Sequence, residues 1–270
     1  MEAWPARVER PWAGYPGPQR ASRRDARDAG TESTLEVVVG LAFVAVVVSS
    51  LFAQSMLVRY TAEHLPQHRA WAISLAMFAL ASAALATGAS TGWDNGTFRV
   101  FYLLGAVLNV PWLAMGTVYL LATTAVARRV HWGLVLFSGF AAGVLLSCPM
   151  DPVHRTAIPV GKDVFGALPR ILAAVGSGVA AVVIIAGALV SAWRYLRNPG
   201  LADHGRLAGA NALIALGTLV LSSGGLVQGL VGHDEAFALS LAAGISIVYC
   251  GFVLASGRQK SLIVAKSHGE

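Results

Sequence analysis

Two stretches of the chain gather the donor types that a divalent cation takes: Asp151 and His154 in one, His233, Asp234 and Glu235 in the other. Carboxylates and imidazoles together suit a zinc-like ion, and a metal so held can lower the pKa of a bound water and drive hydrolysis. Asp94 and Asp163 are further acids of the same kind in connecting segments. His64 and His68 share the i, i+4 spacing of a metal-binding helix face, but Pro66 lies between them, so the pair reads as a solvated turn.

A second set of residues is polar inside otherwise apolar runs: Ser82, Asn109, Ser222, Ser223 and Ser246. Counting from the run ends, Asn109 is nine residues beyond Val100, Ser223 nine before Gly232, Ser246 ten beyond Ala236 and Ser82 ten before Gly92. At 1.5 Å per residue all would lie roughly 14 Å deep. Pro111 has no amide hydrogen and displaces the carbonyl of Val107, so a backbone acceptor at that depth also seeks a partner. This predicts a polar layer facing the interior, whose members either satisfy one another or line a pocket for a polar ligand.

Other chemistries are excluded. No ionisable residue sits in the middle of a run, which removes the usual carriers of proton coupling and voltage sensing. The last run, AFALSLAAGISIVYCGFVLASG, has no lysine for a retinal Schiff base, and all seven histidines fall outside the run centres, so haem held between helices is not expected. There is no C-x-x-C, no P-loop and no G-x-G-x-x-G following a strand. Cys148 and Cys250 sit at depths differing by about 20 Å and do not suit a disulfide. No cofactor is expected.

The elements that position these residues are seven runs without Asp, Glu, Lys or Arg: Val37–Val58, Trp71–Gly92, Val100–Ala127, Val130–Met150, Ile171–Trp193, Leu207–Gly232 and Ala236–Gly257. Each is near the roughly 20 residues that span hydrocarbon as an α-helix. They are apolar all round, too long for β-barrel strands, and flanked by Trp71, Trp93, Trp132 and Trp193, where amphipathic rings prefer the headgroup layer. With 56% hydrophobic and 13% charged residues, the expected fold is all-α, a polytopic membrane helical bundle of about seven transmembrane helices over residues 35–257. Residues 1–34, with four prolines and mixed charge, read as a disordered leader, or as an over-extended start; residues 258–270 read as a short basic tail.

Seven crossings put the termini on opposite sides. Arg59, Arg69, Arg128, Arg129, Arg194, Arg197, Arg206, Arg258, Lys260 and Lys266 lie on the carboxyl-terminal side, against Arg99, Arg155, Lys162 and Arg170 in the opposite loops. The positive-inside rule then gives a cell-membrane protein with the amino terminus outside and the carboxyl terminus cytoplasmic, although the six arginines of the leader pull the other way. The formal charge of +6 fits loops meeting anionic lipid, and no loop has room for a nucleic-acid-binding module. Gly139 and Gly143, and Gly225 and Gly229, form G-x-x-x-G pairs that read as internal packing, with dimerisation the alternative. The expected partners are the lipid bilayer and a membrane protein or a second copy.

The stretch from Gly92-Trp93-Asp94 through Phe98-Arg99-Val100-Phe101-Tyr102, Asn109-Val110-Pro111-Trp112 and Gly116-Thr117-Val118-Tyr119-Leu120 resembles a segment of uncharacterised multi-pass membrane proteins of high-GC actinobacteria. That resemblance implies architecture and no activity. The outer acids and histidines resemble in outline the ligand set of seven-helix zinc hydrolases, whose ligands, however, lie within helices. The sequence leans to small-molecule transport or a channel-like role, with a non-catalytic membrane partner or sensor and a membrane-embedded metal-assisted hydrolase as alternatives.

Overall fold

The computed structural model describes residues 18–153, 158–197, 204–231 and 234–256. Nine α-helices are present among them: α1 Pro18–Glu63, α2 Pro66–Thr91, α3 Asn95–Phe101, α4 Asn109–Leu121, α5 Thr124–Ser147, α6 Gly161–Val164, α7 Ala167–Arg197, α8 His204–Val231 and α9 Asp234–Ser256. A π-helical segment, Tyr102–Leu108, joins α3 to α4, so the three form one interrupted span. The structure is an all-α helical bundle.

Among the described residues six helices are long and apolar enough to cross a membrane, rather than the expected seven. The remaining run falls on α8, a helix of 28 residues of which Ala212–Gly224 is the apolar stretch counted among the described residues. The first helix, α1, begins at Pro18, inside the segment 1–34 expected to be a leader, whose residues 1–17 lie outside the described residues. Pro is pre-organised for a first helical position, and the following Arg and Ala residues have high helix propensity.

The long helices close a ring: α1 packs on α2, α2 on α4, α4 on α7, α7 on α8, α8 on α9, and α9 back on α1. α5 stands outside, touching α4, the π-segment and α7. Turns between neighbours are short and locally encoded. α1 ends at His64, whose φ of 54° stops the helix, and Leu65 is extended before Pro66 opens α2. α2 ends at Gly92, whose φ of 91° favours glycine, and Asp94 then caps α3 by accepting from the amides of Gly96 (2.7 Å) and Thr97 (3.0 Å).

The ring interior is filled by side chains. Toward the Asp94 end, Val38, Leu85, Trp93, Phe98, Val107, Leu145, Phe165 and Phe237 share one buried cluster. Toward the Arg128 end, Phe52, Met56, Leu75, Phe78, Ile245 and Val248 form a second. Outward-facing positions are also apolar, with Leu136 74%, Leu146 68% and Val182 67% exposed. A surface of this kind is incompatible with water as the surrounding solvent and suits acyl chains.

Glycines set the closest helix approach, on α8 and α9. A Cβ on Gly217 would meet the carbonyl oxygen of Gly244 at 2.8 Å and Val248 Cγ2 at 2.6 Å, and Gly251 lies against Ala210 and Leu213. On α5, by contrast, Gly139 and Gly143 have no atom within 4 Å of a built Cβ, so this pair does not serve internal packing. Gly217→Val should therefore cost about 1–3 kcal/mol through overpacking, whereas Gly139→Val should stay within about 0.5 kcal/mol. Denaturant-induced unfolding of the two purified variants checks the contrast; equal losses would refute the assigned helix faces.

Candidate functional site

The interrupted third span has the densest set of unusual backbone and polar features. In the π-segment hydrogen bonds run from residue i to i−5, as in the amide of Asn109 donating to the carbonyl of Leu104. The π register ends at that bond, and Pro111, two residues on in α4, has no N–H to donate. The carbonyl of Ala106, within the π-segment, is met by Ser177 Oγ of α7 at 2.6 Å.

Neighbouring helices meet two further carbonyls. Ser74 Oγ of α2 lies 2.9 Å from the carbonyl oxygen of Asn109 and 2.7 Å from its side-chain Oδ1. Trp71 Nε1 donates to the carbonyl of Leu113 at 3.2 Å. Close approach is possible because small residues line the contact. A Cβ on Gly105 would stand 3.1 Å from Ala81 Cβ, and one on Gly176 would stand 2.9 Å from Phe137 and 3.5 Å from the Val107 carbonyl oxygen. A Cβ on Gly116 would collide with the Trp71 indole.

Of the residues singled out by depth, Asn109 is 8% exposed and Ser82 1% exposed. The residue that meets Asn109 on α2 is Ser74, eight positions from Ser82, or about 12 Å along the axis. Ser222 donates to the carbonyl of Thr218 (2.8 Å), Ser246 to that of Ala242 (2.7 Å), and the exposed Ser223 to that of Val220 (2.8 Å). These hydroxyls are spent within their own helices, and the structure does not join them to Asn109. Ser74 and Ser177 were not legible from depth counting, since depth was taken from Val100 whereas the helix starts at Asn95; Pro111 beside Asn109 was the available signal.

At the Asp94 end the acids and the arginine act on backbone. The Arg99 guanidinium donates to the carbonyls of Leu145 and Cys148, the latter at 2.8 Å, and so caps the end of α5. Asp234 Oδ2 accepts from the amide of Ile158 at 3.1 Å. Asp151 is exposed, with its amide donating to Val164 (3.1 Å), and Glu235 is exposed; His154 and His233 lie outside the described residues. Among the described residues no three His, Cys, Asp or Glu side chains are grouped to hold a metal. A shallow, open depression of about 630 Å³ lies there, lined by Trp93, Asp94, Asn95, Gly96, Met150, Pro152 and Val153. At the opposite end His68 is buried rather than solvated, 8% exposed, with Nδ1 3.6 Å from Glu63 Oε2.

Comparison of the chain with protein-family models, with curated proteins and with solved structures finds no match. The site therefore stands on its own geometry.

Ser177→Ala leaves the Ala106 carbonyl without its donor and should cost about 0.6–1.7 kcal/mol, the range of hydrogen bonds between membrane helices. Ser177→Thr, which keeps a hydroxyl, should retain most of that stability in unfolding measurements. Equal losses in the two variants would refute the pairing.

Proposed function

We propose that the protein passes a small polar solute across the membrane, with the interrupted third span as its moving element. The carrying observation is that this span is a member of the closed ring and changes from α- to π-helical register mid-length, with carbonyls around the change accepting from hydroxyls of two different helices, α2 and α7. Discontinuous helices at such depth are where transporters place substrate and ion sites, and π-segments occur frequently at functional positions. Each of these bonds is worth only about 0.6 kcal/mol on average, so a second arrangement of partners is close in energy.

In this reading α8 is a seventh crossing, since it is 28 residues long and lies between α7 and α9 in the ring. The amino terminus is then outside and the carboxyl terminus cytoplasmic. Arginines laid on aromatic rings support that orientation: Arg59 over Phe252 (4.9 Å), Arg69 over Tyr60 (5.9 Å) and Arg197 over Trp193 (4.0 Å) all lie at the Arg128 end. The kinship with actinobacterial multi-pass proteins rests on the Gly92–Leu120 segment. A second reading, a membrane partner, is favoured by the outward Gly139 and Gly143 of α5.

Two measurements test these readings. With Cys148 and Cys250 replaced by serine, single cysteines at Ala106, Asn109 and Ser177 should react with a small membrane-impermeant thiol reagent from at least one side. Inertness from both sides would overturn solute passage. For orientation, Asp94→Cys in intact cells should be labelled and Arg128→Cys protected; the reverse pattern would invert the topology.

A further inference from the structure

We infer that the buried imidazole of His68 is an acid-operated catch on the turn between α1 and α2. Neutral, it holds the turn closed; on taking a proton it leaves its place and loosens the turn. His68 lies in the first turn of α2 and is 8% exposed, although Glu63, His64, Leu65 and Pro66 just before it are all exposed. Its Nδ1 is buried and has no hydrogen-bond partner. Glu63 Oε2 stands 3.6 Å from that nitrogen, beyond hydrogen-bond reach.

A neutral imidazole tolerates this position, with its hydrogen on Nε2 and only a lone pair at Nδ1. A protonated one does not, because both nitrogens become donors and one of them is then buried without an acceptor. Burial is the largest influence on a charge here and opposes it, the Glu63 carboxylate favours it, and Arg59 opposes it. Both charged residues belong to α1, and Arg59 is drawn over the Phe252 ring of α9 at 4.9 Å. From α4 the titratable side chain of this corner is Tyr119, packed on the cluster of Ala70, Met115 and Ala127, and Arg128 of α5 is exposed. The charged ring therefore gains by moving outward, where water and the exposed Glu63 carboxylate can both meet it.

The rest of the corner decides what yields. On the inner side the His68 ring lies 6.0 Å from Trp71, whose indole fills the space left by Gly116 and donates to the Leu113 carbonyl at 3.2 Å. That side of α2 is anchored to the third span. The turn itself is closed by the amide of His64 on the Tyr60 carbonyl (2.8 Å) and the amide of His68 on that of Leu65 (3.1 Å). His64 has a φ of 54°, which a residue other than glycine keeps only while its surroundings impose it. Withdrawing the imidazole removes part of those surroundings. A histidine changes charge between about pH 8 and pH 5, so the catch is closed at neutral pH and its contribution is lost as the pH falls.

This catch stands whether or not a solute crosses the bundle. Hydrogen exchange of the His64 and His68 amides is followed in the purified full-length protein from about pH 8 to pH 5. After the intrinsic effect of pH is removed, acidification should speed it about tenfold, which corresponds to one pH unit of proton affinity. Exchange in α9 should not change. His68→Gln, which stays polar and does not titrate, should lose the acceleration, whereas His64→Gln should keep it.

Exchange at these amides that is independent of pH, or slower in acid, in the unsubstituted protein would overturn the catch, and this result needs no variant to fold. Equal acceleration in His68→Gln would also overturn it, as would its loss in a folded His64→Gln with His68 intact. His68→Phe supplies the same control as His68→Gln should the latter not fold.

Discussion

A carbonyl group stripped of its donor inside hydrocarbon has no water to turn to, and leaving it bare costs several kcal/mol. The third span creates this problem by placing a π-helical turn immediately before Asn109-Val110-Pro111. Its surroundings follow from the need to solve it. α7 supplies Ser177 and α2 supplies Ser74 and Trp71, so both helices must lie against the interruption. Gly105, Gly116 and Gly176 occur where those helices come closest, because a longer side chain would hold the donor out of reach. Once α2 and α7 are fixed beside the third span, the sequence-adjacent α1 and α8 are carried with them, and α9 closes the ring.

The Asp94 end meets the same backbone requirement with charged groups. Arg99 sits where the last carbonyls of α5 accumulate negative partial charge, while Asp94 sits where the first amides of α3 accumulate positive. Asp234 holds the Ile158 amide, and Met150 pairs with Phe165 as an isolated antiparallel bridge, so the connection between α5 and α7 is folded back onto the bundle. Phe165 stacks on Phe98 at 5.4 Å and packs on Tyr102 at 4.9 Å. Two acids that could serve chemistry by type, Asp94 and Asp234, are thus engaged in holding chain ends.

The helical class and six long apolar helices were legible because length and hydropathy are properties of local sequence, and lipid removes the alternatives to helices. Asn109 was legible as a polar residue within an apolar run beside Pro111. Its partner was not. Depth was counted from Val100, where the charge-free run starts, whereas the helix starts at Asn95, so Asn109 lies deeper and the residue that meets it is Ser74 rather than Ser82. Nor could sequence separate hydroxyls that bond backward within a helix, as Ser222 and Ser246 do, from those that bond across, as Ser74 and Ser177 do. That distinction depends on which face of each helix meets a neighbour.

The glycines make the same point about faces and carry it to α5. Gly217, Gly244 and Gly251 let α8 and α9 approach closely, whereas Gly139 and Gly143 look outward. Only 17% of the apolar window of α5 is buried, against 50% for α2, so α5 contributes little to the ring that encloses the interrupted span. Leu136, Phe140 and Leu146 accompany those glycines on its exposed side. In lipid there is no hydrophobic force to press an outlying helix inward, and association depends on backbone approach and packing. A helix held mainly through α4, with its small residues turned away, is therefore the part of the bundle least tied to the ring.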